Sequence, residues 1–182
     1  RVADLVDQPI GRLDILAPEE RHKILREWND TARAVPSATL PELFEAQVAK
    51  TPDAVAVVFE DTSLSYAELN ARANQLAHHL RDHGVGPDVL VGLCVERSLE
   101  MLIGLVGILK AGGAYLPLDP AYPQERLAFM LEDASPQVLL TQQNLLGALP
   151  QHPAHIFCLD RDWNDIEQRS HQNPTHTVSP QN

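Results

Sequence analysis

The segment from Ser98 to Ala111 constrains this chain more than any other. It contains the longest apolar run in the sequence, the nine residues Met101 to Leu109. Nine residues are about half of what a bilayer crossing needs. A helix that is apolar nearly all round must lie between other layers rather than on a surface. Ser98 is a suitable N-cap, and Gly112-Gly113 supplies the stop. Gly104 and Gly107 cost helix propensity, which implies close approach of a neighbouring backbone. The flanking segments are strand-like: Val89–Val95 before the helix and Ala114–Leu118 after it. Pro123 then opens another helix with Leu127, Met130, Leu131 and Ala134 on one face, and Ser135-Pro136 breaks it. A strand over 137–141, a short helical turn over 142–148 and a strand over 155–159 follow. Strand and helix in alternation specify an α/β fold, a mostly parallel sheet with flanking helices.

Upstream of the alternation the signals are local. Thr39-Leu40-Pro41-Glu42 and Ser65-Tyr66-Ala67-Glu68 both have the capping-box form, with hydroxyl and carboxylate three residues apart. The first box opens a helix whose expected buried stripe is Leu40, Leu43, Phe44 and Val48, ended at Thr51-Pro52. A strand over 54–59 and a turn over 60–63 come next. The second box opens a helix with Leu64 and Leu69 as the hydrophobic staple. Tyr66, Leu69, Ala73, Leu76, Ala77 and Leu80 form its apolar face, and Gly84 to Pro87 closes it. Residues 1–38 differ. They carry Pro9, Pro18 and Pro36 and one amphipathic pattern over about 18–28, with Ile24, Leu25 and Trp28 on one side. This reads as an arm or linker preceding a domain over 39–182. A lone helix of this length is marginal in water and should dock, either on the domain that follows or between two domains of a longer protein. The last twenty residues are polar and read as surface loop.

Charge and residue types narrow the function. Lysine and arginine total 14 against 25 aspartates and glutamates, a net charge of −11 over 182 residues. That balance argues against nucleic-acid binding and against attachment to anionic lipid. Cys94 and Cys158 have no metal-ligand spacing and fit buried free thiols in a reducing cytosol, so the expected location is cytoplasmic. No Gly-rich phosphate loop of the usual spacings occurs. Gly84-Val85-Gly86 and Gly112-Gly113 both follow helices and read as C-caps. His78 and His79 point about 100° apart on a helix and cannot easily share an ion; the histidines read as solvated or hydrogen-bonded. Lys110, in the last turn of its helix, complements the dipole. Asp119, Glu125, Glu132 and Asp133 are acid–base candidates by residue type only, and helix-surface charge is the simpler reading for the last three.

Two segments resemble a known family. Leu64-Ser65-Tyr66-Ala67-Glu68-Leu69-Asn70 is similar to the first core motif, L-[TS]-Y-x-E-L, of nonribosomal peptide synthetase adenylation domains. Leu109-Lys110-Ala111-Gly112-Gly113-Ala114-Tyr115-Leu116-Pro117-Leu118-Asp119-Pro120, with Tyr122-Pro123 and Glu125-Arg126 after it, resembles the second, L-K-A-G-x-A-Y-[VL]-P-[IL]-D. The arm, through Glu20 to Leu25 and Trp28-Asn29-Asp30-Thr31, looks like the linker between a condensation domain and the adenylation domain that follows it.

The resemblance implies the incomplete N-terminal subdomain of an adenylate-forming enzyme. The parent would activate an amino acid with ATP and Mg2+ as aminoacyl-AMP and load it on a carrier-protein phosphopantetheine. Partners would share the polypeptide: a condensation domain upstream, the rest of the adenylation domain and a carrier domain downstream. In that family the ATP-cradling loop follows shortly, and Val178 to Asn182 looks like its lead-in. The resemblance thus assigns no catalytic, cofactor or metal residue here, and the fragment alone is expected to bind no cofactor and make no adenylate. Leu64, Ser65, Tyr66, Glu68 and Leu69, with Leu109, Lys110, Ala111, Gly112, Ala114, Tyr115, Pro117 and Asp119, are expected to act as architecture. Ile24, Leu25 and Trp28 are expected to dock the linker. Two alternatives stay open: a non-catalytic docking platform for a condensation domain, and an acyl-CoA synthetase of the same superfamily.

Overall fold

The computed structural model describes residues 16–180. Two compact units divide the chain, residues 1–36 and 37–182. In the first unit Pro18 opens helix α1 (Pro18–His22), and the Ala17 N–H donates to Glu20 Oε2 at 3.0 Å. Lys23–Glu27 continues as a wider π-helical turn, with the Trp28 N–H donating to Lys23 O at 2.9 Å. The Asn29 side chain donates to Ile24 O at 2.6 Å and ends the run. Neither turn buries a residue. Ile24 is half-buried, whereas Leu25 and Trp28 are 51% and 66% exposed. Pro9, read as part of the arm, lies outside the described residues.

The second unit begins with α2 (Leu40–Lys50). Thr39 Oγ1 accepts from the Glu42 N–H, and Glu42 Oε2 accepts from the Thr39 N–H at 2.6 Å. Its expected stripe is only partly covered. Phe44 and Val48 are half-buried, but Leu40 and Leu43 face solvent, and Pro41 is the buried residue of the helix. A hairpin follows: β1 (Val55–Phe59) and β2 (Thr62–Ser65) pair antiparallel, with Phe59 opposite Thr62. The turn is shorter than the 60–63 that the sequence suggests. Only Glu60 and Asp61 turn, and Glu60 takes a positive φ of 52° to do so. Ser65 then ends β2 and caps α3 (Tyr66–Asp82).

The main sheet has strand order β4-β3-β5-β6, every pair parallel, built from β3 (Leu90–Cys94), β4 (Ala114–Pro117), β5 (Val138–Thr141) and β6 (His155–Cys158). Helix α4 (Leu99–Ala111) links β3 to its neighbour β4. Helix α5 (Gln124–Ala134) carries the chain from β4 past β3 to β5. A 3-10 turn (Gln143–Ala148) leads to β6, and a short α6 (Trp163–Ile166), which no sequence signal announces, follows.

Side chains alternate across the strands. Val91, Leu93, Val138, Leu140 and Phe157 share one apolar cluster with Leu76 and Leu80 of α3 and Ile103 and Ile108 of α4. Cys94 and Leu139 join Leu127 and Leu131 of α5 in a second cluster. Helices α3 and α4 share the first cluster with the sheet, and α4 is covered less completely than its all-round apolarity suggests, since Met101, Leu102, Leu105, Val106 and Leu109 are half-buried. The close approach at Gly107 is to a side chain, not to the backbone expected: an added Cβ would meet the Leu76 side chain at 2.8 Å.

Candidate functional site

The first core-motif segment builds a helix start. Ser65 Oγ accepts from the Glu68 N–H at 3.2 Å, and Glu68 Oε2 accepts from the Ser65 N–H at 2.8 Å. These bonds hold the Glu68 carboxyl below its ordinary range. Leu64 and Leu69 are both buried, and the half-buried Tyr66 ring lies 6.0 Å from Phe44.

The second segment builds a helix end and an edge strand. Gly112, with φ of 96°, is the left-handed cap that the αL position requires. Its N–H and that of Gly113 donate to Leu109 O and Ile108 O, each at 3.1 Å. Both donors are consumed at a helix C-terminus, whose partial charge is negative. This glycine pair is therefore no phosphate cradle. Leu109 is half-buried and Ala111 buried, while Ala114, Tyr115, Pro117 and Asp119 are exposed along β4 and just beyond it. Asp119 Oδ1 accepts from the Ala121 N–H at 2.9 Å, shaping the turn into α5.

Lys110 lies in the last turn of α4, where it complements the dipole, but it does more than that. Its side chain is fully buried and paired with Glu45 of α2, whose side chain is 13% exposed. Burial pulls the ammonium below its ordinary range while Glu45 opposes the shift. Lys110 Nζ also donates to Asn173 Oδ1 at 3.2 Å. That same oxygen accepts from Asn70 Nδ2 at 3.0 Å and Asn74 Nδ2 at 2.9 Å. The other Glu45 oxygen meets His176 Nε2 at 3.1 Å. An ammonium at zero exposure is tolerable only with such partners.

The segment after α6 is the polar surface loop expected, all but Pro174 exposed over 167–177, but it is anchored by side chains of the helices beneath it. Residues 167–177 form a strap across α3 and the end of α4. Gln75 Nε2 donates to Glu167 O at 2.6 Å, Asn74 Nδ2 to His171 O at 2.7 Å, and Arg81 Nη2 to Thr175 O at 2.7 Å. Arg81 also caps α4 by donating to Ala111 O and Lys110 O. Beyond the strap, Val178, Ser179 and Pro180 border a cavity of about 380 Å3 with Thr39, Leu40, Gly112 and Tyr115. Glu45, Asn74, Asn173 and His176 were missed from sequence. One signal was available: a lysine on a helix apolar nearly all round must be buried and must find an anion.

His79 is a second departure. It is buried beside Phe157, His83 and, through His83, His155, with ring centroids 4.6–5.5 Å apart. Neither of its ring nitrogens has a hydrogen-bond partner among the described residues. Burial, reinforced by the His83 ring, pushes it below the ordinary histidine range. Cys94 and Cys158 are both buried free thiols, and burial pushes Cys94 up to about 11. A thiol held protonated in this way is a poor nucleophile. Among the described residues no three His, Cys, Asp or Glu side chains gather to hold a metal ion, and no helix is long and apolar enough to cross a membrane.

Residues 44–182 match the model of the AMP-binding enzyme family. Tyrocidine synthase 3 of Brevibacillus parabrevis is 52% identical over 163 residues, 87% of this chain and 2% of its own length. A dimodular nonribosomal peptide synthase of Bacillus subtilis is 53% identical over 144 residues, 79% of this chain and 6% of its own. The chain thus spans a small fraction of the curated relatives it matches. Among solved structures, the nonribosomal peptide synthetase FmoA3 superposes with a TM-score of 0.83 at 38% identity, covering 92% of this chain and 18% of that one. The N-terminal subdomain of Klebsiella oxytoca NpsA shares the fold, with a TM-score of 0.66 at 21% identity over 78% of this chain and 35% of its own. The helix stop at Gly112, the parallel sheet around β3 and these similarities agree, and the chain belongs to the AMP-binding enzyme family, among the adenylation domains of nonribosomal peptide synthetases.

Proposed function

We propose that this chain is the scaffold portion of an adenylation domain that activates an amino acid with ATP. The amino-acid carboxylate would attack the α-phosphorus, the bond to pyrophosphate would break, and aminoacyl-AMP would form. The acyl group would then pass to a phosphopantetheine thiol on a carrier domain of the same polypeptide, with a condensation domain upstream. The observation that carries this reading is the fold of Leu109–Asp119, a capped helix end and edge strand, in a chain that superposes on FmoA3. Crystal forms of that protein hold AMPPNP and α-methyl-L-serine-AMP.

The described residues do not fit a Mg2+–ATP site. No metal-holding group of carboxylates or histidines gathers among them, and the Gly112 and Gly113 N–H groups are spent on α4. No step is therefore assigned to them, and their contribution is to position. Buried free thiols fit a cytoplasmic setting, where ATP is also available. The test is amino-acid-dependent ATP–pyrophosphate exchange. The synthetase polypeptide carrying this sequence is expected to exchange with one amino acid, and the 182 residues alone to stay at background. Exchange by the 182 residues alone would overturn the scaffold assignment.

A second reading is favoured by the exposed Leu25 and Trp28: the arm docks a condensation domain. Removal of residues 1–38 should then abolish binding to a separately produced condensation domain while leaving the remainder folded.

A further inference from the structure

Among the polar contacts between the strap and the core of the second unit, one gathers more partners than the others. Asn173 Oδ1 accepts three N–H donors, from Asn70 and Asn74 of α3 and from Lys110 of α4. Lys110 is fully buried and is joined to Glu45 of α2, and Glu45 reaches back to His176 of the strap. Three helices and the strap are thus tied through a single buried ion pair. Two residues on, a Cβ added at Gly112 would meet Thr177 Oγ1 at 2.8 Å. The strap therefore runs in contact with the end of α4. From there Val178 to Pro180 pass along the 380 Å3 cavity beside Gly113 and Tyr115.

We propose that Lys110 and Glu45 are positioning residues for the adenylation reaction: their buried pair clasps the strap through Asn173 and His176, and so fixes where the chain at Val178–Pro180 lies. The proposal rests on the adenylation reading. Neither residue touches a reacting group. Each acts through the strap. The pair is better suited to this task than an apolar contact, because hydrogen bonds to a charge are directional. An apolar side chain tolerates sliding, whereas a buried ammonium holds its carboxylate and its amide acceptor at fixed distances and angles.

The chemistry also separates positioning from simple stability. Replacing one member of a buried pair strands the other charge, whereas replacing both by apolar side chains of similar size is often neutral. The variants are therefore Lys110→Met with Glu45→Leu together, and Asn173→Ala alone, which spares the ion pair. Both are made in the synthetase polypeptide that carries this sequence. Three quantities are read: thermal midpoint, the rate of proteinase K cleavage within residues 171–178, and the KM for ATP against that for the amino acid in ATP–pyrophosphate exchange. The expected result for both variants is a midpoint within a few degrees of the parent, cleavage within the strap about tenfold faster or more, and a KM for ATP raised about tenfold with the amino-acid KM unchanged. Strap cleavage at the parent's rate would overturn the clasp. Faster strap cleavage with both KM values unchanged would overturn the positioning role. A parent polypeptide that exchanges with no amino acid would overturn the adenylation reading and the claim on ATP with it, while the proteolysis arm would still decide the clasp.

Discussion

The parallel sheet and the strap are attached to the same two helices by opposite chemistry. The sheet meets α3 and α4 through Leu76, Leu80, Val91, Ile103, Ile108 and Leu140, none more than 2% exposed and none with a polar side chain. The strap meets α3 and the end of α4 through amide, guanidinium, imidazole and ammonium donors, and of its residues only Pro174 is buried. Apolar contact is non-directional and scales with area, so the sheet tolerates small shifts and depends on bulk. Hydrogen bonds to a buried charge are directional and cannot be left unmade. The sheet supplies stability, and the strap supplies a defined path.

Four substitutions probe that division. The largest effect is expected from Glu45→Ala, which leaves the Lys110 ammonium at zero exposure without its anion. A cost of about 3–5 kcal/mol is expected in urea unfolding, with Lys110→Met added in the same chain restoring most of it. Leu140→Ala, in the centre of β5 and fully buried, should cost about 2–5 kcal/mol. It should leave proteinase K cleavage within the strap close to the parent's once the global loss is subtracted. A strap that loosens selectively in Leu140→Ala would erase the distinction between the two regions. Ser65→Ala removes one capping bond at the start of α3 and should lower stability by about 1 kcal/mol, without changing either attachment.

The smallest effect is a pH dependence. His79 is buried neutral with its proton affinity depressed, so the unfolded chain takes up a proton that the folded chain refuses. The stability it contributes is present above the ordinary histidine value near 6.5 and is lost as pH falls from there toward its lower folded value. The groups acting on it are the His83 and Arg169 charges, which lower it further, and Asp82 and Asp165, which oppose them. His79→Phe should flatten the urea midpoint between pH 7 and pH 5. An unchanged slope would assign the acid sensitivity elsewhere.

The apolar half of this division was readable in the sequence and the polar half was not. The apolar run at α4 implied a sandwiched helix, and strand–helix alternation implied the parallel sheet. Both capping boxes announced helix starts, because a hydroxyl and a carboxylate three residues apart satisfy each other locally. The hairpin strand β2 was hidden because Thr-Ser-Leu-Ser reads as turn when only Leu64 faces the core. The strap was hidden for another reason. Gln75, Asn74, His78 and Arg81 contact the backbone carbonyls of Glu167, His171, Gln172 and Thr175. Every residue has a carbonyl, so nothing in those four side chains marks them as targets. The partners of Lys110 lie 65 and 63 residues away, beyond any periodicity.

The double duty of Ser65 has a mechanical consequence. It is the last residue of β2 and the cap of α3, with no linker between them. Hairpin and helix therefore meet at a single residue, so the direction in which β2 ends sets the direction in which α3 starts. The strap is anchored on that helix at Asn70, Asn74, Gln75, His78 and Arg81. The hairpin and the strap are thus tied to one helix, the first through its cap and the second through its side chains.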